Sequence, residues 1–231
     1  MTGCLYGVGV GPGATDLITL RAHNLITKAK HIAYISTATG ESLAYASVSS
    51  LIPACTQQHE IIMPMKEPQH IRESIYDQNA IDLEKHIKTG QDMVLLCEGD
   101  PCFYGSFIYF YERLSKKIPI EIIPGISSPM ASAAALGLPL GTKNDILTIL
   151  PAILDEETLT TKLRGTNTAA IIKLGRHFKK MKQILENLHL TNCSFYIENV
   201  THPNEYAVPL NEAPEQAPYF SLIIMNKGAT S

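Results

Sequence analysis

The 231-residue sequence holds no apolar run of the roughly 18 residues that a membrane-spanning helix requires. No cationic stretch precedes the first apolar segment, MTGCLYGVGV, so the N-terminus does not read as a signal peptide. The five cysteines, Cys4, Cys55, Cys97, Cys102 and Cys193, are odd in number and contain no CxxC pair. Neither a disulfide framework nor a zinc site is expected from them, and they read as reduced, small apolar side chains in a cytoplasmic protein. A formal net charge of -3 argues against a general nucleic-acid binder, although a local basic patch can still hold an anionic ligand. The P-loop pattern G-x-x-x-x-G-K-[ST] is absent, as are internal repeats and low-complexity tracts.

What remains is a globular composition, 45% apolar and 18% charged, sufficient for one large domain or two small ones. Strand and helix patterns alternate along it. Strands are expected over 5–10, 31–36, 92–97 and 118–123, and helices over 15–28, 71–88 and 103–116. Thr15 or Asp16 is the expected cap of the first helix. This rhythm predicts a largely parallel sheet with helices on both faces. Pro124-Gly125 breaks it, and 127–136, rich in small residues, reads as a tightly packed helix. Strands over 146–150, 168–174 and 194–198 then alternate with helices over 156–163 and 176–188. The last two strands, 205–210 and 219–225, flank a turn with Pro214 and Pro218 and suggest a hairpin or antiparallel edge. The fold class is α/β, with two α/β domains over 1–124 and 125–231 and a ligand site in the cleft between them.

Five segments at strand ends carry the candidate chemistry. Gly9 to Ala14 formally matches the relaxed dinucleotide fingerprint, which would make the protein a nicotinamide-dependent oxidoreductase. Pro12 removes a backbone donor from that turn, and the strand HIAYIS lacks a terminal acidic residue for a ribose hydroxyl. The loop Glu98-Gly99-Asp100-Pro101-Cys102-Phe103-Tyr104 follows a buried strand; its glycine admits close ligand approach, and Asp100 either caps the next helix or accepts bonds from a ligand. Ser127 and Ser128 cap a helix or turn their hydroxyls to a ligand. Lys173, Leu174, Arg176 and His177 follow a later strand, where the basic residues suit substrate carboxylates. Val200 and Thr201 follow another.

GVGVGPG, EGDP, PGISS and the KLG strand end, in this order, resemble the tetrapyrrole methylases, class III S-adenosylmethionine methyltransferases with two α/β domains. The resemblance covers nearly the whole chain. The stretches EGDPCFYGSFIYFYERL, LPLGTKNDILTILPA and PYFSLII are similar to the precorrin-2 C(20)-methyltransferases of cobalamin biosynthesis, with the cobalt-precorrin-2 enzymes as the neighbouring alternative. It implies S-adenosylmethionine held by Pro12, Gly99, Asp100, Pro101, Phe103, Tyr104, Ser127, Ser128, Leu174 through its main chain, and Val200 or Thr201. Val200 departs from the glycine of some relatives. It implies tetrapyrrole carboxylates met by Arg21, Lys173, Arg176 and His177, and a homodimer. No side chain stands out as the catalytic base. A metal is expected only as part of the substrate, because no metal-ligand cluster is legible in the protein. A non-catalytic adenosyl-ligand sensor would need no basic acceptor surface.

Overall fold

Alternation along Leu5–Gly9 sends Leu5 to one face of a sheet and Val8 to the other, and both are fully buried. Burial on two faces is the mark of a parallel sheet covered by helices on both sides. The computed structural model, which describes residues 2–64 and 67–229, bears this out. Strands β1 (Leu5–Gly9), β2 (His31–Ser36), β3 (Gln57–Ile62), β4 (Met93–Cys97) and β5 (Ile120–Ile123) form one parallel sheet in the order β3-β2-β4-β1-β5. Helices α1 (Leu20–Ile26) and α2 (Leu43–Val48) cover one face through Ala22, Ile26, Ala44 and Val48. Helices α3 (Gln69–Lys88) and α4 (Phe107–Leu114) cover the other through Leu83, Ile87, Phe107 and Phe110. Arg113 of α4 ties the two together by pairing with Glu73 and, at 2.7 Å, with Asp77. This compact unit ends at Ser127 and the next begins at Ser128.

The first unit departs from expectation at its helix starts. The expected helix over 15–28 is broken: Thr15–Leu17 is a single 3-10 turn, and α1 begins only after Thr19, whose hydroxyl accepts from the Ala22 amide at 3.3 Å. Thr19, and neither Thr15 nor Asp16, is the cap. The helix expected from 103 begins at Phe107, because residues 101–106 are spent on turns. Strand β3 and helix α2 were not anticipated.

In the second unit, helix α5 (Ser128–Leu136) precedes β6 (Leu147–Pro151), α6 (Glu156–Arg164), β7 (Thr168–Ile172), α7 (Phe178–Asn187), β8 (Ser194–Glu198), β9 (Tyr206–Pro209) and β10 (Ser221–Asn226). The sheet order is β6-β7-β10-β8-β9. β6 and β7 are parallel, while β10 runs antiparallel to both β7 and β8. Of the two arrangements expected for the last two strands, the antiparallel edge forms and the hairpin does not. β9 pairs antiparallel with β8 as an edge, and β10 inserts on the far side of β8, where all six of its residues are buried. An apolar strand such as Ser221–Asn226 gains more from the sheet centre than from an edge. Among the described residues no helix is long and apolar enough to cross a membrane.

Candidate active site

In the first unit the loops after β4, β1 and β5 leave the C-terminal ends of three adjacent parallel strands. The chain after β1 passes to α1 on one face, and the chain after β4 passes to α4 on the other. Divergence of this kind opens a crevice at the carboxyl edge of a sheet, the usual ligand position in open α/β structures.

Four glycines, Gly9, Gly11, Gly99 and Gly125, build the crevice floor. Gly11 and Gly99 exchange backbone hydrogen bonds in an isolated antiparallel bridge, at 3.2 and 2.9 Å. A Cβ on Gly9 would lie 2.6 Å from the Gly99 carbonyl oxygen, and one on Gly125 only 2.0 Å from it. Both glycines are therefore required by backbone packing. Gly99 has φ 62, and around its own missing Cβ the nearest atoms, the Ile126 oxygen and Ser127 Cα, stand 3.8 Å away. Close backbone approach remains open there.

Asp100 pins these loops together. One carboxylate oxygen accepts from the Cys102 amide at 2.8 Å and the other from the Gly125 amide at 3.0 Å. It does not cap α4, which starts at Phe107 without a side-chain cap bond. Pro101 is buried, Phe103 and Pro12 are half-buried, and Tyr104 is exposed with its ring edge-on to Phe103 at 5.1 Å. Ser127 is buried and Ser128 opens α5. Part of Glu98 faces solvent, yet desolvation by the surrounding protein raises its carboxyl pKa. Arg21 is already paired with Glu121 of β5, so a substrate carboxylate would have to share that guanidinium.

The turn after β1 fails as a dinucleotide site for a structural reason. It feeds a 3-10 turn and not the N-terminus of an α-helix, so the aligned amides that would hold a pyrophosphate are missing. β2 ends at buried Ser36, with no acidic residue in its place.

In the second unit, register places Ile171 and Tyr196 level with each other, both opposite Ile223 of β10. The loops after β7 and β8 therefore leave the same end of the sheet, about 10 Å apart across one intervening strand. Leu174 sends its side chain into the core, fully buried, and its carbonyl accepts from the His177 amide at 2.6 Å. Arg176 is exposed with its Nε 3.3 Å from His177 Nε2. Desolvation, with Lys180 and Arg176 adding repulsion, lowers the His177 pKa. Val200 is buried; the Thr201 amide donates to Glu205 at 2.6 Å and the Asn199 amide to the Phe220 carbonyl at 3.0 Å.

One signal had no trace in the sequence. Six described non-glycine residues have positive φ, and four of them, Tyr104 (54°), Lys173 (59°), Asn199 (51°) and Thr201 (67°), occupy these strand-end loops. Such conformations cost roughly 1–3 kcal/mol each and concentrate at functional sites. Thr201 is the most demanding, since a β-branched side chain fits this region poorly.

Known proteins share this chain's sequence pattern and fold. A family model for tetrapyrrole (corrin/porphyrin) methylases matches residues 4–214. The chain is 32% identical to a precorrin-2 C(20)-methyltransferase of Sinorhizobium sp., across 96% of this chain and 95% of the relative. It is 30% identical to the cobalamin biosynthesis protein CobIJ of Mycobacterium tuberculosis across 98% of its own length, but spans only 46% of that protein. Its fold matches a uroporphyrin-III C-methyltransferase from Thermus thermophilus, solved with S-adenosyl homocysteine, at a TM-score of 0.70 and 21% identity over 97% of this chain and 98% of that one.

Proposed function

Because this chain belongs to the tetrapyrrole (corrin/porphyrin) methylases, we propose that it transfers a methyl group from S-adenosylmethionine to carbon 20 of precorrin-2. The observation that carries this reading is the end-to-end similarity to a precorrin-2 C(20)-methyltransferase, which leaves neither chain with a large unmatched segment. The strand-end loops support it, because their glycine-lined backbone suits a flat, polar ligand held by main-chain groups.

When bound, S-adenosylmethionine supplies a methyl group already activated by the sulfonium charge. The chain's own task is then alignment, which can supply about 7–11 kcal/mol of a barrier. Gly99, Pro101, Phe103 and Tyr104 in the first unit would hold the donor, with Asp100 fixing the loop that carries them, and Pro12 on the loop after β1 would join them. Ser127, Ser128, the Leu174 main chain and the Val200–Thr201 turn complete the proposed donor contacts. Lys173, Arg176 and His177 would meet carboxylates of the macrocycle. Glu98, more basic than an ordinary carboxylate, is the side chain of the donor loop suited to accept the proton that the methylated carbon loses.

We also assign it to the cytoplasm as a homodimer. All five cysteines are free, which suits a reducing compartment. Sedimentation at micromolar concentration tests the dimer: a species of twice 25.3 kDa is expected.

Calorimetric titration with S-adenosylhomocysteine, beside NADH, tests the donor. Binding of S-adenosylhomocysteine alone is expected; binding of NADH alone would restore the oxidoreductase reading. Cobalt-precorrin-2 is the second acceptor to assay, because the chain is also similar to a cobalt-precorrin-2 C(20)-methyltransferase.

A further inference from the structure

Three histidines that no sequence spacing connects meet in the first unit, on the sheet face covered by α3. His31 opens β2, and His59 stands in β3 beside Ala33 of β2 in the parallel register. Ala33 and Ile61 face the core beneath α3, so strand alternation turns His31 and His59 to that same face. From above, α3 buries Ala80, Leu83 and Ile87 along one stripe, and His86 lies at its edge. The three imidazoles offer one nitrogen each within 4.8 Å of one another. His59 Nε2 and His31 Nδ1 are already 3.4 Å apart. The ring centroids of His31 and His86 are separated by 4.3 Å, edge to face.

We infer that His31, His59 and His86 form a binding site for a divalent transition metal of the zinc class, with a fourth coordination position open to water. Imidazole nitrogens are the donors such ions prefer. Two nitrogens on a tetrahedral zinc, each about 2.0–2.1 Å from the metal, stand about 3.3 Å apart, the spacing His31 and His59 already have. His86 supplies a second, independent indication. Its Nε2 is buried and has no hydrogen-bond partner. A buried imidazole nitrogen without a hydrogen-bond partner suits a metal ligand. Binding breaks the His59–His31 hydrogen bond, and the proton in it shifts to the other nitrogen of the same ring.

Such an ion would clamp β2, β3 and α3 at the edge of the first sheet, on elements that do not carry the donor loops. The test uses the full chain, stripped with chelator and titrated with Co²⁺ and then Zn²⁺. One equivalent of Co²⁺ should give visible d–d absorption of a low-coordinate nitrogen site, and Zn²⁺ should displace it. His59→Ala and His86→Ala should each weaken binding by at least about 100-fold, in keeping with the loss of a direct ligand. Zn²⁺ should raise the melting temperature of the parent chain and leave both variants unmoved. S-adenosylhomocysteine titration and circular dichroism on the variants show whether they remain folded. A parent chain without the band at neutral pH, or folded variants that keep it, would overturn the site.

Discussion

At the scale of single residues, the glycines and one carboxylate determine the candidate site. Gly125 is held against the Gly99 carbonyl, and Gly125→Ala would place its Cβ 2.0 Å from that oxygen. Overpacking of this kind costs about 1–3 kcal/mol, and more where backbone cannot yield. A lower melting temperature and weakened S-adenosylhomocysteine binding are expected together, measured by thermal denaturation and calorimetry. Glu98 makes a different prediction. Its raised pKa means that the basic form is populated only above a value higher than the usual 4.5. The rate should fall as pH drops through that value, and Glu98→Gln should lower kcat and abolish this acid limb while KM changes little. Arg176 is exposed, so Arg176→Ala should raise the KM for the tetrapyrrole several-fold, about 1 kcal/mol, with donor affinity unchanged. The positions of the Glu98–Tyr104 loop and of Lys173 after strands were legible because glycine and proline mark where a strand ends. The role of Asp100 as a tie between two loops was not, because its partner amide at Gly125 is 25 residues away.

At the scale of elements, legibility followed burial. β2 occupies the residues expected because HIAYIS is mostly apolar and inward-facing. β3, QQHEII, was missed because it is an edge strand with four of six residues exposed, leaving no run and little alternation to detect. α2 is six residues of small and mixed character, too short for a helical stripe. The split of the first expected helix arose because capping by Thr19 competes with the apolar periodicity that runs through it. The histidine cluster joins β2, β3 and α3, elements whose contact no local pattern announces. Helix α6 shows the reverse case, a cap readable from its residues. Asp155 accepts from the Thr158 amide and hydroxyl, at 2.8 and 2.7 Å, and these bonds hold its carboxyl below the usual 3.8. The stabilisation is therefore complete above the ordinary value and lost as pH falls through the depressed one. The melting-temperature gap between the parent chain and Asp155→Ala should be constant near neutrality and close in strong acid.

At the scale of the whole molecule, the two units differ in a way the sequence suggested only in part. The first is wholly parallel and places three adjacent strand ends together; the second mixes directions, yet β7 and β8 still present their loops at one end. Motif order along the chain revealed the family, because each motif falls at a strand end that the parallel topology requires. The proposed acceptor left a fainter trace, since a large macrocycle is recognised by the spacing of charges and not by a local motif. The chain spans about half of the CobIJ protein and nearly all of the precorrin-2 C(20)-methyltransferase. The measurement closest to the central claim is an anaerobic incubation with precorrin-2 and S-adenosylmethionine labelled with ¹³C in its methyl group, followed by carbon NMR of the product. One labelled methyl at carbon 20 is expected. Label at another ring carbon, or no transfer by a chain that binds S-adenosylhomocysteine, would contradict the assignment.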